Sequence, residues 1–226
     1  MKKRLTVILI LVVLMFSNFM VYAQSDRQYN DVFTSDWFYD AVKYVSSNDV
    51  MIGVADLEFA PEIELTRGMA VTILSRIYGA DVSGFTHTAF TDVDIDKYYG
   101  VHVAWAKQNG IVHGMTETEF CPDDFMTREQ VCVILSNFFD FCGLSTRNTP
   151  VQSFADEDKI GKWALEAVLR MQRGGIVNGR NDNTFDPKGY ITRAEFAQIV
   201  YNTNLIKLLK PNEDAGLAQQ TDNTAK

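Results

Sequence analysis

The sequence predicts an all-α fold of three tandem helix–loop–helix units, and three observations carry that prediction. One residue pattern recurs three times along the chain. The spacing inside the pattern does not change from copy to copy. Apolar residues on either side of its loop fall at helical intervals, so each unit presents one stripe that must be buried against a neighbour.

The pattern is an aromatic-x-Asp, a second aromatic, a Gly, Phe-x-Pro, and an apolar residue before Thr-Arg. The first copy reads Tyr29, Asp31, Trp37, Gly53, Phe59, Pro61, Leu65-Thr66-Arg67. The second reads Phe90, Asp92, Tyr98, Gly110, Gly114, Phe120, Pro122, Met126-Thr127-Arg128, and the third Phe154, Asp156, Trp163, Gly175, Gly179, Phe185, Pro187, Ile191-Thr192-Arg193. From the second aromatic to the Arg is 30 residues each time (37 to 67, 98 to 128, 163 to 193). Gly to Phe is always 6, and Phe to Thr always 7.

The first helix of each unit starts at the aromatic. Phe38, Val42 and Val45 correspond to Tyr99, Val103 and Ala106, and to Ala164, Val168 and Met171. The second helix carries Ala70, Ile73, Leu74 and Ile77, then Val131, Ile134, Leu135 and Phe138, then Phe196, Ile199 and Val200, where Thr203 breaks the stripe. Thr66, Thr127 and Thr192 are predicted N-caps. Glu195 completes a capping box with Thr192 and Gln130 one with Thr127, whereas Met69 leaves Thr66 without one. Gly53, Gly114 and Gly179 suit either a positive φ or close approach of another group. A two-helix unit is too small for a stable core, so the copies are expected to fold together. The repeats span 29–79, 90–142 and 154–203, with linkers at Gly79–Ala89 and Gly143–Gln152. Residues 204–226 form a C-terminal tail that turns polar after Leu209.

The N-terminus reads differently. Lys2, Lys3 and Arg4 precede the apolar run Leu5–Phe16 and the segment Val21-Tyr22-Ala23, which fits a signal peptide at 1–23 cleaved between Ala23 and Gln24. An uncleaved anchor is the competing reading, because Leu5–Val21 is near the lower limit for a span. Polar Gln24-Ser25-Asp26 favours cleavage and no membrane association afterwards.

Losing Lys2, Lys3 and Arg4 from 21 basic residues leaves 18 against 29 acidic ones, a net charge of about −11. This argues against nucleic acid as a partner, which needs a basic surface, yet leaves room for an anion in a local basic pocket. Cys121, Cys132 and Cys142 form no Cys-x-x-Cys pair and read as packing residues. His87, His102 and His113 have no zinc spacing, and Asp92, Asp94 and Asp96 lack the Gly and Glu of a calcium loop. No nucleophile motif or phosphate loop is present, so neither metal, cofactor nor catalysis is expected.

An Arg in the first turn of a helix opposes the macrodipole, so three such residues need partners. Two readings are open: a structural Asp of the same or the next repeat (Asp31, Asp92, Asp156), or an anionic ligand, which the helix N-terminus also attracts. Trp37, Tyr98 and Trp163 read first as core anchors and second as platforms for a sugar ring.

Together, Phe154, Asp156, Trp163, Gly175-Ile176-Val177-Asn178-Gly179, Phe185-Asp186-Pro187 and Ile191-Thr192-Arg193-Ala194-Glu195 closely resemble the S-layer homology repeat. The second copy resembles it well. The first diverges, with Asp49 in place of the first Gly and Gly68-Met69 after the Arg. The resemblance spans about Tyr29 to Asn202. It implies three repeats with pseudo-threefold symmetry around a central helical bundle, in a secreted protein of a bacterial cell wall. It also implies non-covalent binding of a secondary cell-wall polysaccharide bearing an acidic, often pyruvylated sugar, in grooves between adjacent repeats. By position, the glycan-binding residues are then Arg67, Arg128 and Arg193, Gly53, Gly114 and Gly179, Asp31, Asp92 and Asp156, and Trp37, Tyr98 and Trp163. The second and third copies, which keep more of the motif, are expected to dominate binding. The alternative from another class is an assembly protein of the envelope acting through contacts with other envelope proteins.

Overall fold

The computed structural model describes residues 28–209, and the signal-peptide segment with Ala23 and Gln24 lies outside them, as does the chain from 210 onward. The described residues are helical, with isolated backbone bridges in place of a sheet. The six repeat helices are α1 (Tyr39–Ser47), α2 (Arg67–Tyr78), α3 (Gly100–Gln108), α4 (Arg128–Phe141), α5 (Leu165–Arg173) and α6 (Arg193–Thr203); a short α7 (Leu205–Leu209) follows.

The second helix of each repeat begins as its sequence requires. Thr66, Thr127 and Thr192 sit in extended backbone and accept the N–H of Met69, Gln130 and Glu195. The reciprocal bond of a capping box forms at Thr127 and Thr192 and is missing at Thr66, where Met69 has nothing to return. The first helices end in a left-handed residue: Asp49, Gly110 or Gly175. In each, the next two residues then turn their N–H groups back to one carbonyl, that of Val45, Ala106 or Met171. Asp therefore replaces Gly in the first copy without changing the turn, because a short polar side chain tolerates φ near +57°.

The main helix–helix packing is between repeats rather than within them. α2 lies against α3, α4 against α5, and α6 against α1, so the third repeat returns to the first. The predicted stripes lie in one hydrophobic cluster joining all three copies, with Phe59, Phe120 and Phe185 fully buried and Ile199 at its margin. Thr203, the break in the stripe, satisfies its hydroxyl on the carbonyls of Ile199 and Val200. The segments before the second helices close a ring of backbone bonds. Leu65 N–H donates to Ile191 O (2.8 Å), Ile191 N–H to Met126 O (3.1 Å), and Met126 N–H to Leu65 O (2.9 Å). Each repeat thus depends on both others, the physical reason a single copy would not fold.

One stretch assigned to the tail belongs to the fold. Leu205 and Ile206 are buried, and α7 packs on α2 and α6. Its apolar side chains cover the end of the core, and Asn204 in left-handed backbone re-aims the chain to place them there.

Candidate functional site

The three arginines point away from their own repeats. Arg67 donates through Nε to Phe120 O (2.8 Å) and through Nη2 to His113 O (3.1 Å). Arg128 does the same to Phe185 O and Asn178 O, both at 2.8 Å. Arg193 closes the cycle on Phe59 O (3.0 Å) and Ile52 O (2.8 Å). Each guanidinium also lies over the ring of the Phe whose carbonyl it binds, 4.5 Å from the centroid at Phe120, 5.1 Å at Phe185 and 4.6 Å at Phe59. A planar cation suits this place, because its fork meets two carbonyls while its face rests on an aromatic.

This geometry removes one of the two open readings, the Arg–Asp pairing. No ion pair joins these arginines to Asp31, Asp92 or Asp156 among the described residues. The aspartates instead clamp the Phe-x-Pro loop. Asp31 accepts the N–H of Phe59 and Ala60, Asp92 those of Phe120 and Cys121, and Asp156 those of Phe185 and Asp186. The residue between Phe and Pro is left-handed in every copy (Ala60, Cys121, Asp186), a costly conformation for a non-glycine residue that the two-pronged carboxylate holds in place. Both oxygens of each Asp are therefore engaged by the loop itself.

Trp37, Tyr98 and Trp163 are 61%, 53% and 60% exposed, so they are not core anchors. The next residue in each copy, Phe38, Tyr99 or Ala164, takes the buried position. The register of the helix is one residue later than the anchor reading required. Gly53, Gly114 and Gly179 resolve to close approach rather than positive φ. A Cβ there would lie 2.5 Å from Glu58 O, 2.2 Å from Thr116 O and 2.9 Å from the Phe154 ring, respectively. They let the loop fold tightly over the first aromatic of the repeat.

Burial lowers the pKa of all three arginines, and nearby carboxylates offset it only in part: Asp124 and Asp92 at Arg67, Glu195 and Asp186 at Arg128, Asp31 at Arg193. Arg stays charged regardless. Two nitrogens of each, Nε and Nη2, are satisfied by carbonyls, and Nη1 makes no hydrogen bond among the described residues. Each site is thus a largely desolvated cation with one nitrogen left unbonded.

Arg128, half-buried where Arg67 and Arg193 are buried, lines a cleft of about 210 Å³ together with Trp37, Asn178, Gly179, Arg180, Glu195 and Gln198. The first repeat gives the indole, the second the half-buried Arg, and the third the loop and helix wall, so the groove draws on all three copies. Arg180, Glu195 and Gln198 were not among the sequence candidates. Arg180 was visible only by comparing registers, since Val54 and Met115 hold its position in the other copies. Around Arg193 the equivalent neighbour is Tyr98, close enough for the cation to act on its hydroxyl. The three cysteines are free, and Cys132, fully buried, has its thiol pushed up to about 12 by desolvation, as suits a packing residue.

The sequence model of the S-layer homology domain matches residues 28–70, 89–132 and 153–197. An amylopullulanase of Thermoanaerobacterium thermosulfurigenes is 28% identical over 188 residues, 82% of this chain and 10% of that protein. A surface-layer 125 kDa protein of Lysinibacillus sphaericus is 28% identical over 167 residues, 73% of this chain and 14% of the other. A cellulosome-anchoring protein of Acetivibrio thermocellus is 25% identical over 145 residues, 63% and 32%. The chain therefore spans a small part of the length of each of these relatives.

Proposed function

The chain belongs to the S-layer homology domain family, and from that premise we propose that it is a non-catalytic module of the bacterial cell surface. It holds to the wall by binding an acidic secondary polysaccharide without a covalent bond. What relates it to an S-layer protein, a cellulosome-anchoring protein and a polysaccharide hydrolase alike is a short segment, which fits a shared attachment module better than a shared active site.

The observation that carries the reading is the unbonded Nη1 edge of a half-buried arginine, Arg128, which lines one groove with an exposed aromatic, Trp37. A sugar carboxylate, such as that of a pyruvyl ketal, meets that edge in a charge-assisted hydrogen bond made strong by the low local dielectric. The indole offers an apolar platform for the sugar ring. Division of labour follows. The arginines and aromatics meet ligand; the aspartates and the Gly53, Gly114 and Gly179 loops shape the groove.

Because the arginines also tie the repeats together, their replacement would confuse loss of fold with loss of binding. The cleaner test uses Trp37→Ala, Tyr98→Ala and Trp163→Ala, singly and combined, in mature protein titrated with purified wall polymer before and after removal of its acidic substituent. Expected are tight binding of the acidic polymer, weak binding of the stripped one, and progressive loss through the variants with helicity unchanged. Equal retention on polymer-free walls would sink the reading and favour a protein partner in the envelope.

A further inference from the structure

The three arginine sites share a floor but differ in the residues beside it. Two positions form the wall: the residue after the loop Gly, and the third residue of the second helix. In the third repeat these are Arg180 and Glu195, joined at 2.6 Å. In the second they are Met115 and Gln130, whose amide approaches the thioether at 3.9 Å. In the first they are Val54 and Met69. The wall is thus neutral twice, and once an ion pair.

Glu195 is the exception that needs explaining. It lines the same cleft as Arg128, whose Nη1 edge makes no hydrogen bond among the described residues. One carboxylate oxygen accepts the N–H of Thr192 in the capping box, and the other is taken by Arg180. Arg180 is also within 3.7 Å of Asp186. With Arg180 gone, an unbalanced carboxylate would stand in the groove, repelling an incoming acid and competing with it for Arg128.

We infer that Arg180 is a specificity-determining residue of this groove: by holding the Glu195 carboxylate it keeps the unbonded Nη1 edge of Arg128 available to a carboxylate-bearing sugar. The inference rests on the wall-polymer reading above and assigns this groove its selectivity for acid over neutral sugar. Arg180 acts here through Glu195 rather than by touching the reacting groups of any chemistry. Neutral walls at Val54–Met69 and Met115–Gln130 need no such device.

The test isolates this groove by placing the variants in mature protein carrying Tyr98→Ala and Trp163→Ala, which leaves Trp37. Titration calorimetry with purified acidic wall polymer compares that parent with R180V, E195Q and R180V/E195Q, each checked for an unchanged thermal melt. E195Q keeps an acceptor for the cap, as Gln130 does in the second repeat. Expected is at least a tenfold loss for R180V, and recovery to within threefold of the parent in R180V/E195Q. The stripped polymer should not distinguish the four proteins. R180V binding as the parent does, or a double variant as weak as R180V, overturns the inference while leaving wall binding intact. A parent that has lost all binding while the unmutated protein binds shows that this groove takes no ligand, and also overturns it. Failure of the unmutated protein to bind the polymer is the separate failure of the function.

Discussion

Arg193 donates to the carbonyl of Phe59, 134 residues earlier in the chain, at 3.0 Å, and its guanidinium lies 4.6 Å from the centre of the same ring. One side chain thereby joins the last repeat to the first and closes a circle that Arg67 and Arg128 continue. Arg193 is 4% exposed, so the bonds it makes are shielded and the groups it leaves behind would be shielded too.

Arg193→Ala should therefore destabilise the whole fold. The carbonyls of Phe59 and Ile52 lose their donors, and the Phe59 ring loses its cover. Leaving buried acceptors unsatisfied costs about 1–3 kcal/mol each, so a loss on the order of 2–4 kcal/mol is expected in urea denaturation. Arg193→Lys should recover little of it, because a point charge cannot span both carbonyls and stack on the ring. A lysine variant as stable as the parent would show that charge alone matters.

Neighbouring aromatics should separate cleanly. Phe38→Ala removes a buried ring and should cost about 3–5 kcal/mol. Trp37→Ala, one residue away and 61% exposed, should change stability by no more than about 1 kcal/mol. Paired thermal melts decide this, and a large loss at Trp37 would restore it to the core.

The clamp aspartates give a third expectation. Asp156 is 6% exposed and accepts two consecutive backbone N–H groups at 2.6 and 2.9 Å. Asp156→Ala should cost about 2–3 kcal/mol by denaturant titration, since both donors are stranded and the left-handed Asp186 loses its support. Asp156→Asn keeps one acceptor and should cost less.

Glycines in the loop divide by mechanism. Gly110 has φ near +70° and open space where a Cβ would sit, so Gly110→Ala pays only for backbone strain, about 1–2 kcal/mol. At Gly114 a Cβ would lie 2.2 Å from Thr116 O and 2.6 Å from Glu119 O, so Gly114→Ala forces the loop apart and should cost more. Equal losses from the two substitutions, measured by chemical denaturation, would contradict the distinction.

Much of this fold was legible before any coordinates. Constant spacing fixed the repeats, helical periodicity picked out buried faces, and Thr with Gln130 or Glu195 marked helix starts. The site was less so, because its contacts cross between repeats. Nothing local says that Arg128 reaches Asn178 or that Trp37 shares a cleft with it. Trp37 reads as the core aromatic because it and Phe38 are adjacent and both fit the pattern, while one residue turns a helix by about 100°, enough to carry a side chain from the core to the surface. Asp156 looked like a partner for Arg because opposite charge is easy to see in a sequence. Two backbone N–H groups, present at every residue, are not. Leu205–Leu209 reads as tail because a few apolar residues carry no period.

His102 supplies a pH dependence. Its Nδ1 shares a 2.8 Å hydrogen bond with Ser75 Oγ, and desolvation, with Arg76 adding to it, lowers its pKa from 6.5 to about 4. The folded state therefore resists a proton that the unfolded chain accepts. Between pH 6.5 and about 4 the unfolded state binds more protons, so stability falls as pH drops through that window and the His102 contribution is complete above it. Since the ring is only partly buried, solvent screening reduces the effect to on the order of 1 kcal/mol. Denaturant titrations at pH 7.5 and pH 4.5 should show this loss, and His102→Gln, which keeps a polar group for Ser75 but does not titrate, should lose less over the same interval. Identical losses in the two proteins would assign the acid sensitivity to other groups.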